Sequence, residues 1–174
     1  MIRYNKYTPF QKKDIYETPE YVIADILTFL DKNKVEIYEP FKGSGSSTKI
    51  MRKLGFTVHN GDHKDFFKQT FPKPRDKKKK IILLTNPPFS IKKEILQKLQ
   101  HDNVGQWILL LPASVLYTMY FRDLFKNKTV KLIIPRKRIT FIDPKTKKPF
   151  GNRASFDTAW ICRGISLPRH INLI

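Results

Sequence analysis

From residue 18 onward, apolar and polar positions alternate between two rhythms. Val22, Ile23, Ile26, Leu27 and Leu30 recur at helical spacing and predict a helix with one buried face. Thr18-Pro19-Glu20 reads as its start: a hydroxyl cap, a proline in the first turn, and an acid at the positive end of the dipole. Residues 35–39 read as a short strand running into Pro40-Phe41-Lys42-Gly43-Ser44-Gly45. A short helix over 47–54 follows, stopped by Gly55, and then a strand over 56–59. Ile81-Ile82-Leu83-Leu84-Thr85 is a continuous apolar run bounded by charge and by Asn86-Pro87-Pro88. That is the pattern of a central parallel strand covered on both faces.

A helix over 91–100, a strand over 107–111, a helix over 115–125 and a strand over 130–134 come next. The rhythm then changes: residues 139–142, a lysine-rich turn and residues 154–162 read as strands without a helix between them. Alternating β and α elements predict an α/β, doubly wound, Rossmann-like sheet, with the last two strands as an antiparallel addition at one side. There is no internal repeat and no flexible linker, so residues 1–174 read as one domain.

Composition narrows the partners. The 174 residues are 40% hydrophobic and 13% aromatic, too apolar for a disordered polybasic tail. A folded chain with net charge +19 points to a polyanion, nucleic acid ahead of anionic membrane. A halo of solvated lysines is the plainer alternative. Cys162 is the sole cysteine, which excludes an intrachain disulfide and a cysteine-based zinc site. His59 and His63 have the spacing of a helical metal pair, but His59 sits in a strand-like stretch and Gly61 intervenes, so no metal is expected. Residues 1–13 lack the apolar core of a signal peptide, and the longest apolar stretch, 107–116, is short and contains Pro112. The expectation is a soluble chain in a reducing, cytoplasmic compartment, with no membrane partner.

Two motifs carry chemistry. Glu39-Pro40-Phe41-Lys42-Gly43-Ser44-Gly45 ends the first strand, where glycines let the backbone turn sharply and approach a ligand. Glu39 would repel a phosphate, and the turn lacks the Gly-Lys-Ser/Thr of a phosphate loop. An acid beside a glycine turn suits a ligand with a cationic or hydroxyl group; an ordinary glycine turn would look much the same. Asn86-Pro87-Pro88-Phe89 follows the central strand and is more specific. Its prolines freeze an extended backbone and remove two amide donors. Carbonyl acceptors remain, with the flat face of Phe89 beside them, an arrangement suited to a planar ring bearing an exocyclic amine. The bland alternative is a proline-bounded strand end with a buried aromatic.

On these residues the chain resembles the class I S-adenosylmethionine-dependent amino-methyltransferases with an Asn/Asp-Pro-Pro-Tyr/Phe motif. Within these it is most similar to small adenine-N6 DNA methyltransferases of phages and large DNA viruses. Tyr16-Glu17-Thr18-Pro19, the Glu39 turn, Asp62-His63-Lys64-Asp65-Phe66-Phe67, Asn86-Pro87-Pro88-Phe89 and the late Arg138-Ile139-Thr140-Phe141 and Ala154-Ser155-Phe156 segments carry the resemblance. Lys42 departs from it, standing where relatives often have a small or apolar residue.

The resemblance implies a seven-stranded, mostly parallel sheet with an antiparallel late strand, and S-adenosylmethionine as cofactor. It implies that Tyr16, Thr18, Glu39, Phe41, Gly43 and Gly45 hold the cofactor, Glu39 by pairing with its ammonium. Asp62 would grip ribose hydroxyls or be a solvated loop acid. Asp65 would accept from the cofactor's adenine amine, with Phe66 lining the ring, or cap a helix. Thr18 would reach the cofactor carboxylate or serve only as a cap. Asn86, Pro87, Pro88 and Phe89 would form the catalytic site on an adenine amine.

Basic residues cluster twice. Arg138, Lys145, Lys147, Lys148 and Arg153 bracket the late hairpin and are assigned to substrate phosphates, because strand carboxyl ends lie there. Lys77, Lys78, Lys79 and Lys80 enter the central strand from its opposite end and read as a solvated face or a secondary contact. No separate target-reading domain fits in the chain, so a partner subunit or a second copy would supply sequence reading if it occurs. The leading reading is adenine-N6 methylation of nucleic acid, DNA favoured over RNA. The alternatives are RNA guanine-N2 or other base methylation, glutamine methylation of a protein, which the charge disfavours, and a catalytically idle nucleic-acid-binding subunit.

Overall fold

The computed structural model describes residues 16–61, 66–150 and 157–174. Chain order is α1 (Glu20–Leu27), β1 (Val35–Glu39), α2 (Ser46–Lys53), β2 (Val58–Asn60), β3 (Lys80–Thr85), α3 (Lys92–His101), β4 (Trp107–Pro112), α4 (Met119–Phe125), β5 (Lys131–Ile134), β6 (Thr158–Arg163) and β7 (Ile171–Leu173). Among the described residues the strands form one seven-stranded sheet ordered β2-β1-β3-β4-β6-β5-β7. β6 runs antiparallel to both β4 and β5, and the other neighbours are parallel. The protein is therefore a doubly wound α/β fold with a mostly parallel sheet and one antiparallel late strand.

Helices cover both faces. Ile23 and Ile26 of α1 and Met51 of α2 meet Leu84 of β3 and Trp160 of β6. Trp160 stands opposite Leu110 in register. Trp107, three residues before Leu110, points to the other face and packs on Phe125 of α4. Burial from both sides explains why residues 107–111 are all fully buried and why β4 is apolar throughout.

Four expectations change. Thr18 does not cap α1: Pro19 is the cap residue, and its carbonyl accepts from the Val22 and Ile23 amides. The helix stops at Leu27 rather than running to Leu30. The amides of Thr28, Phe29 and Leu30 turn to the carbonyls three residues back, and the Thr28 hydroxyl donates to the Asp25 carbonyl. The expected helix over 115–125 is broken at Thr118, whose extended backbone ends a 3-10 turn over Ala113–Tyr117 and starts α4. Residues 139–142 are not a sheet strand. Ile142 instead bridges Glu17 and Pro149, and β6 pairs with β4 and β5. β7 has no forerunner in the sequence pattern; three residues are too few to show a period.

His59 lies in β2 and its Nε2 meets Glu36 Oε2 at 2.5 Å; His63 lies outside the described residues. Glu36 also accepts from the Arg75 and Asp76 amides at 2.9 and 3.0 Å, which ties the segment before β3 onto β1. Burial opposes charge on Glu36, but these amides and His59 together lower its pKa to about 2. A folded-state pKa below the unfolded value means that its contribution is present above about pH 4.5 and fades as pH falls toward 2. Glu36→Gln should therefore cost roughly 2 kcal/mol at pH 7, the scale of charge-assisted hydrogen bonds, and progressively less below pH 4.5. Urea denaturation of parent and variant across pH 2–7 checks this.

Candidate active site

From β1 the chain passes to β2 on one side of the sheet and then to β3 on the other. The two strands that diverge there, β1 and β3, leave a crevice at their carboxyl ends, where open α/β sheets take ligands. Tyr38 stands in register with Leu83, which sets Glu39 level with Leu84 and Thr85 one residue beyond, at the ends of their strands.

Glu39 is buried. Its Oε1 accepts from the Thr85 hydroxyl at 2.5 Å and from the Phe41 amide at 3.0 Å. Burial pushes its pKa up to about 8, against the pull of these two donors, so the carboxyl is mostly protonated at neutral pH. The following turn closes with the Gly45 amide on the Lys42 carbonyl at 2.7 Å. Gly43 and Gly45 both hold left-handed backbone, at φ +51° and +80°, and Gly45 is the residue from which α2 starts. Beyond β2, the Gly61 amide donates to the Glu39 carbonyl at 2.9 Å. A Cβ on Gly61 would lie 2.5 Å from the Pro40 carbonyl oxygen, so this crossing needs glycine. Phe41 packs on Phe66, ring centres 4.8 Å apart. Asp62 and Asp65 lie outside the described residues.

Asn86 follows Thr85. Its Nδ2 donates to the Thr18 hydroxyl at 3.1 Å, and its Oδ1 is buried with no hydrogen-bond partner. Thr18 thus serves Asn86 rather than the helix. Thr18, Glu39, Ser47, Thr85, Asn86 and Trp160 line one cavity of about 10 Å³, room for about one water. Pro87 and Pro88 are buried beside it.

Phe89 departs from its expected open face. It is 8% exposed, and its ring lies near Tyr16, centres 6.3 Å apart and nearly parallel, and near Phe141 at 6.2 Å. Tyr16 also contacts Phe141 and Phe150.

The late loop reaches the same end of the sheet. The Glu17 and Ile142 amides and carbonyls exchange two bonds, at 2.9 and 3.0 Å, and Lys147 Nζ donates to Glu17 Oε1 at 2.8 Å. Burial opposes the charge of Glu17, but Lys147 and Ser44 hold its pKa below the usual range. Lys147 is therefore already paired with a carboxylate. Arg138 pairs with Asp157 at 3.2 Å, while Lys145 and Lys148 are exposed. Arg153 lies outside the described residues. The Lys77–Lys80 run sits at the amino end of β3, where Lys80 faces Val35. The sequence reading missed Thr85 and Glu17 as site residues; the signal available for Thr85 was its hydroxyl at the end of an apolar run, directly before Asn86.

No family model and no curated protein sequence matches the chain. Among solved structures it is similar to a dimethyladenosine transferase from Plasmodium falciparum, at 13% identity and a TM-score of 0.49. The match covers 87% of this chain and 63% of that one, so the chain spans under two thirds of the neighbour's length.

Glu39 has an unusual pH signature. Its folded-state pKa lies above its unfolded one, so it adds stability below about pH 4.5 and loses that contribution as pH rises through about 8. Glu39→Gln should gain stability relative to the parent between pH 5 and 8 and then level off. Thermal melts at pH 5, 7 and 9 test this sign.

Proposed function

We propose that the protein transfers a methyl group from S-adenosylmethionine to the N6 amine of an adenine in nucleic acid, DNA ahead of RNA. The observation that carries this reading is the buried, unpartnered Asn86 Oδ1, one strand from the carboxyl and glycine turn that end β1. A buried acceptor left without a donor costs about 1–3 kcal/mol, which a ligand N–H would recover. The motif resemblance supports the choice of an adenine amine and of DNA, and the +19 charge supports a polyanionic partner.

S-adenosylmethionine, when bound, would supply an electrophilic methyl on a sulfonium. Glu39 and the turn through Gly43 and Gly45 fit its amino-acid end, because a buried carboxyl with only hydrogen-bond donors around it lacks a cation. Asn86 Oδ1 and the Pro87 carbonyl would accept the two N6–H bonds of adenine. That draws the nitrogen lone pair out of ring conjugation and aims it at the methyl, by positioning and electrostatics rather than by a strong base. Phe89 would have to turn one face from Tyr16 toward the adenine. Removing the base from a duplex costs a few kcal/mol, of which stacking could return about 1–3. A second reading, an idle nucleic-acid-binding subunit, draws support from the small volume of the cavity and the buried Phe89.

The decisive experiment incubates the protein with labelled S-adenosylmethionine and matched DNA and RNA pools, followed by nucleoside mass spectrometry. N6-methyladenine is expected, stronger in DNA. Asn86→Ala should lose transfer while calorimetry still shows cofactor binding. No transfer to either pool, or methyl on another base, overturns the proposal.

Cofactor binding at pH 7 should also release close to one proton, because Glu39 must ionise to meet an ammonium. Calorimetry in buffers of different ionisation enthalpy reads this, and Glu39→Gln should abolish it. A proton count of zero in the parent would remove Glu39 from the cofactor site.

For the nucleic acid, replacing Lys145 and Lys148 with glutamine should lower the slope of log affinity against log salt by about 2 on duplex DNA. Replacing Lys78 and Lys79 should change it less, since they lie at the amino end of β3. A salt titration by fluorescence anisotropy compares the two.

A further inference from the structure

Tyr117 and Met119, in the segment that follows β4, are exposed large hydrophobics, at 89% and 71%. They follow β4, which runs parallel beside β3, so they stand on the same rim as Asn86 and one strand away. Thr85 is level with Leu109, and β4 continues three residues further, which lifts this rim above the cavity.

The segment is held in place. Between the two exposed side chains, the Thr118 hydroxyl donates to the Val115 carbonyl at 2.7 Å and accepts from the Phe121 amide at 3.4 Å. The Thr118 amide bonds the Val115 carbonyl, and its own carbonyl takes the Arg122 amide. Val115 below is fully buried. An exposed aromatic on a pinned turn loses little further freedom when a flat partner lands on it. Charge is placed to match: Lys93 of α3 lies over the Tyr120 ring at 5.7 Å, and Arg122 is exposed one turn along α4.

Resting on the function proposed above, we infer that Tyr117 and Met119 form a stacking platform for an unpaired nucleobase next to the target, with Lys93 and Arg122 taking the adjoining phosphates. A π face with cations beside it suits single-stranded nucleic acid, because every base offers a flat face while phosphates track the basic side chains. Met119 adds a polarisable apolar edge that fits any base. The platform favours substrates whose bases are already unstacked around the target, and gives affinity without sequence choice.

The test needs no cofactor. Fluorescence anisotropy with labelled single-stranded and duplex DNA of one sequence is run on the parent, Tyr117→Ala, Tyr117→Phe and Lys93→Gln. Tyr117→Ala should weaken single-strand binding about 5- to 150-fold, the worth of one base–aromatic stack, with an unchanged salt slope. Tyr117→Phe should bind like the parent, and Lys93→Gln should lower the single-strand slope by about 0.7. Parent-like binding by Tyr117→Ala overturns the platform and leaves the methyl-transfer proposal standing. A parent with no affinity for nucleic acid overturns both. Concentration-dependent dimerisation that Tyr117→Ala abolishes, seen by sedimentation, would assign the patch to a second copy instead and overturn the platform.

Discussion

One hydrogen bond organises the site: the Thr85 hydroxyl on the buried Glu39 carboxyl. A buried carboxyl without a donor would be costly, and the neighbouring strand supplies the donor only if β3 ends one residue beyond the level of Glu39. The parallel register between them provides that alignment. Because Glu39 also takes the Phe41 amide, the same carboxyl sets the direction in which the glycine turn leaves β1. Because Asn86 follows Thr85, the end of β3 is set with it. Acid, glycine turn and amide acceptor are thus placed together by one pair of strand ends.

The segment before α1 closes the arrangement from above. Thr18 receives the Asn86 amide group, and Glu17, one residue earlier, receives Lys147 and pairs its backbone with Ile142. Tyr16 completes the line by packing on Phe89, Phe141 and Phe150. Three successive residues therefore join the strand end that carries Asn86 to the basic late loop. A ligand that drew Lys147 away from Glu17, or moved Phe89 away from Tyr16, would act on the same short segment. The basic late loop and the strand end that carries Asn86 are mechanically one unit.

Much of this is legible in the sequence. β3 and β4 are recognisable because central parallel strands are apolar on both faces, and the proline pair after β3 and the glycines after β1 mark where their loops begin. The order of β and α elements implied the doubly wound sheet. Less legible were features with a distant partner. Thr18 has the local signature of a cap, yet its hydroxyl is used by Asn86, 68 positions away. Lys147 looks like a solvated lysine and is paired across 130 positions. Phe89 looks like an open stacking face and is covered by Tyr16, Phe141 and their neighbours.

The sequence by itself determined which strands would be buried, where the backbone had to turn, and which side chains could act as acid and acceptor. Those properties depend on local periodicity and on the chemistry of single residues. Only the tertiary structure decided how they meet: that Glu39 is buried enough to hold its proton near neutrality, that Asn86 keeps one oxygen unpartnered, and that Tyr117 stays in solvent on the same rim. Burial and hydrogen-bond satisfaction depend on segments far apart along the chain, and no local pattern encodes which of them will come together.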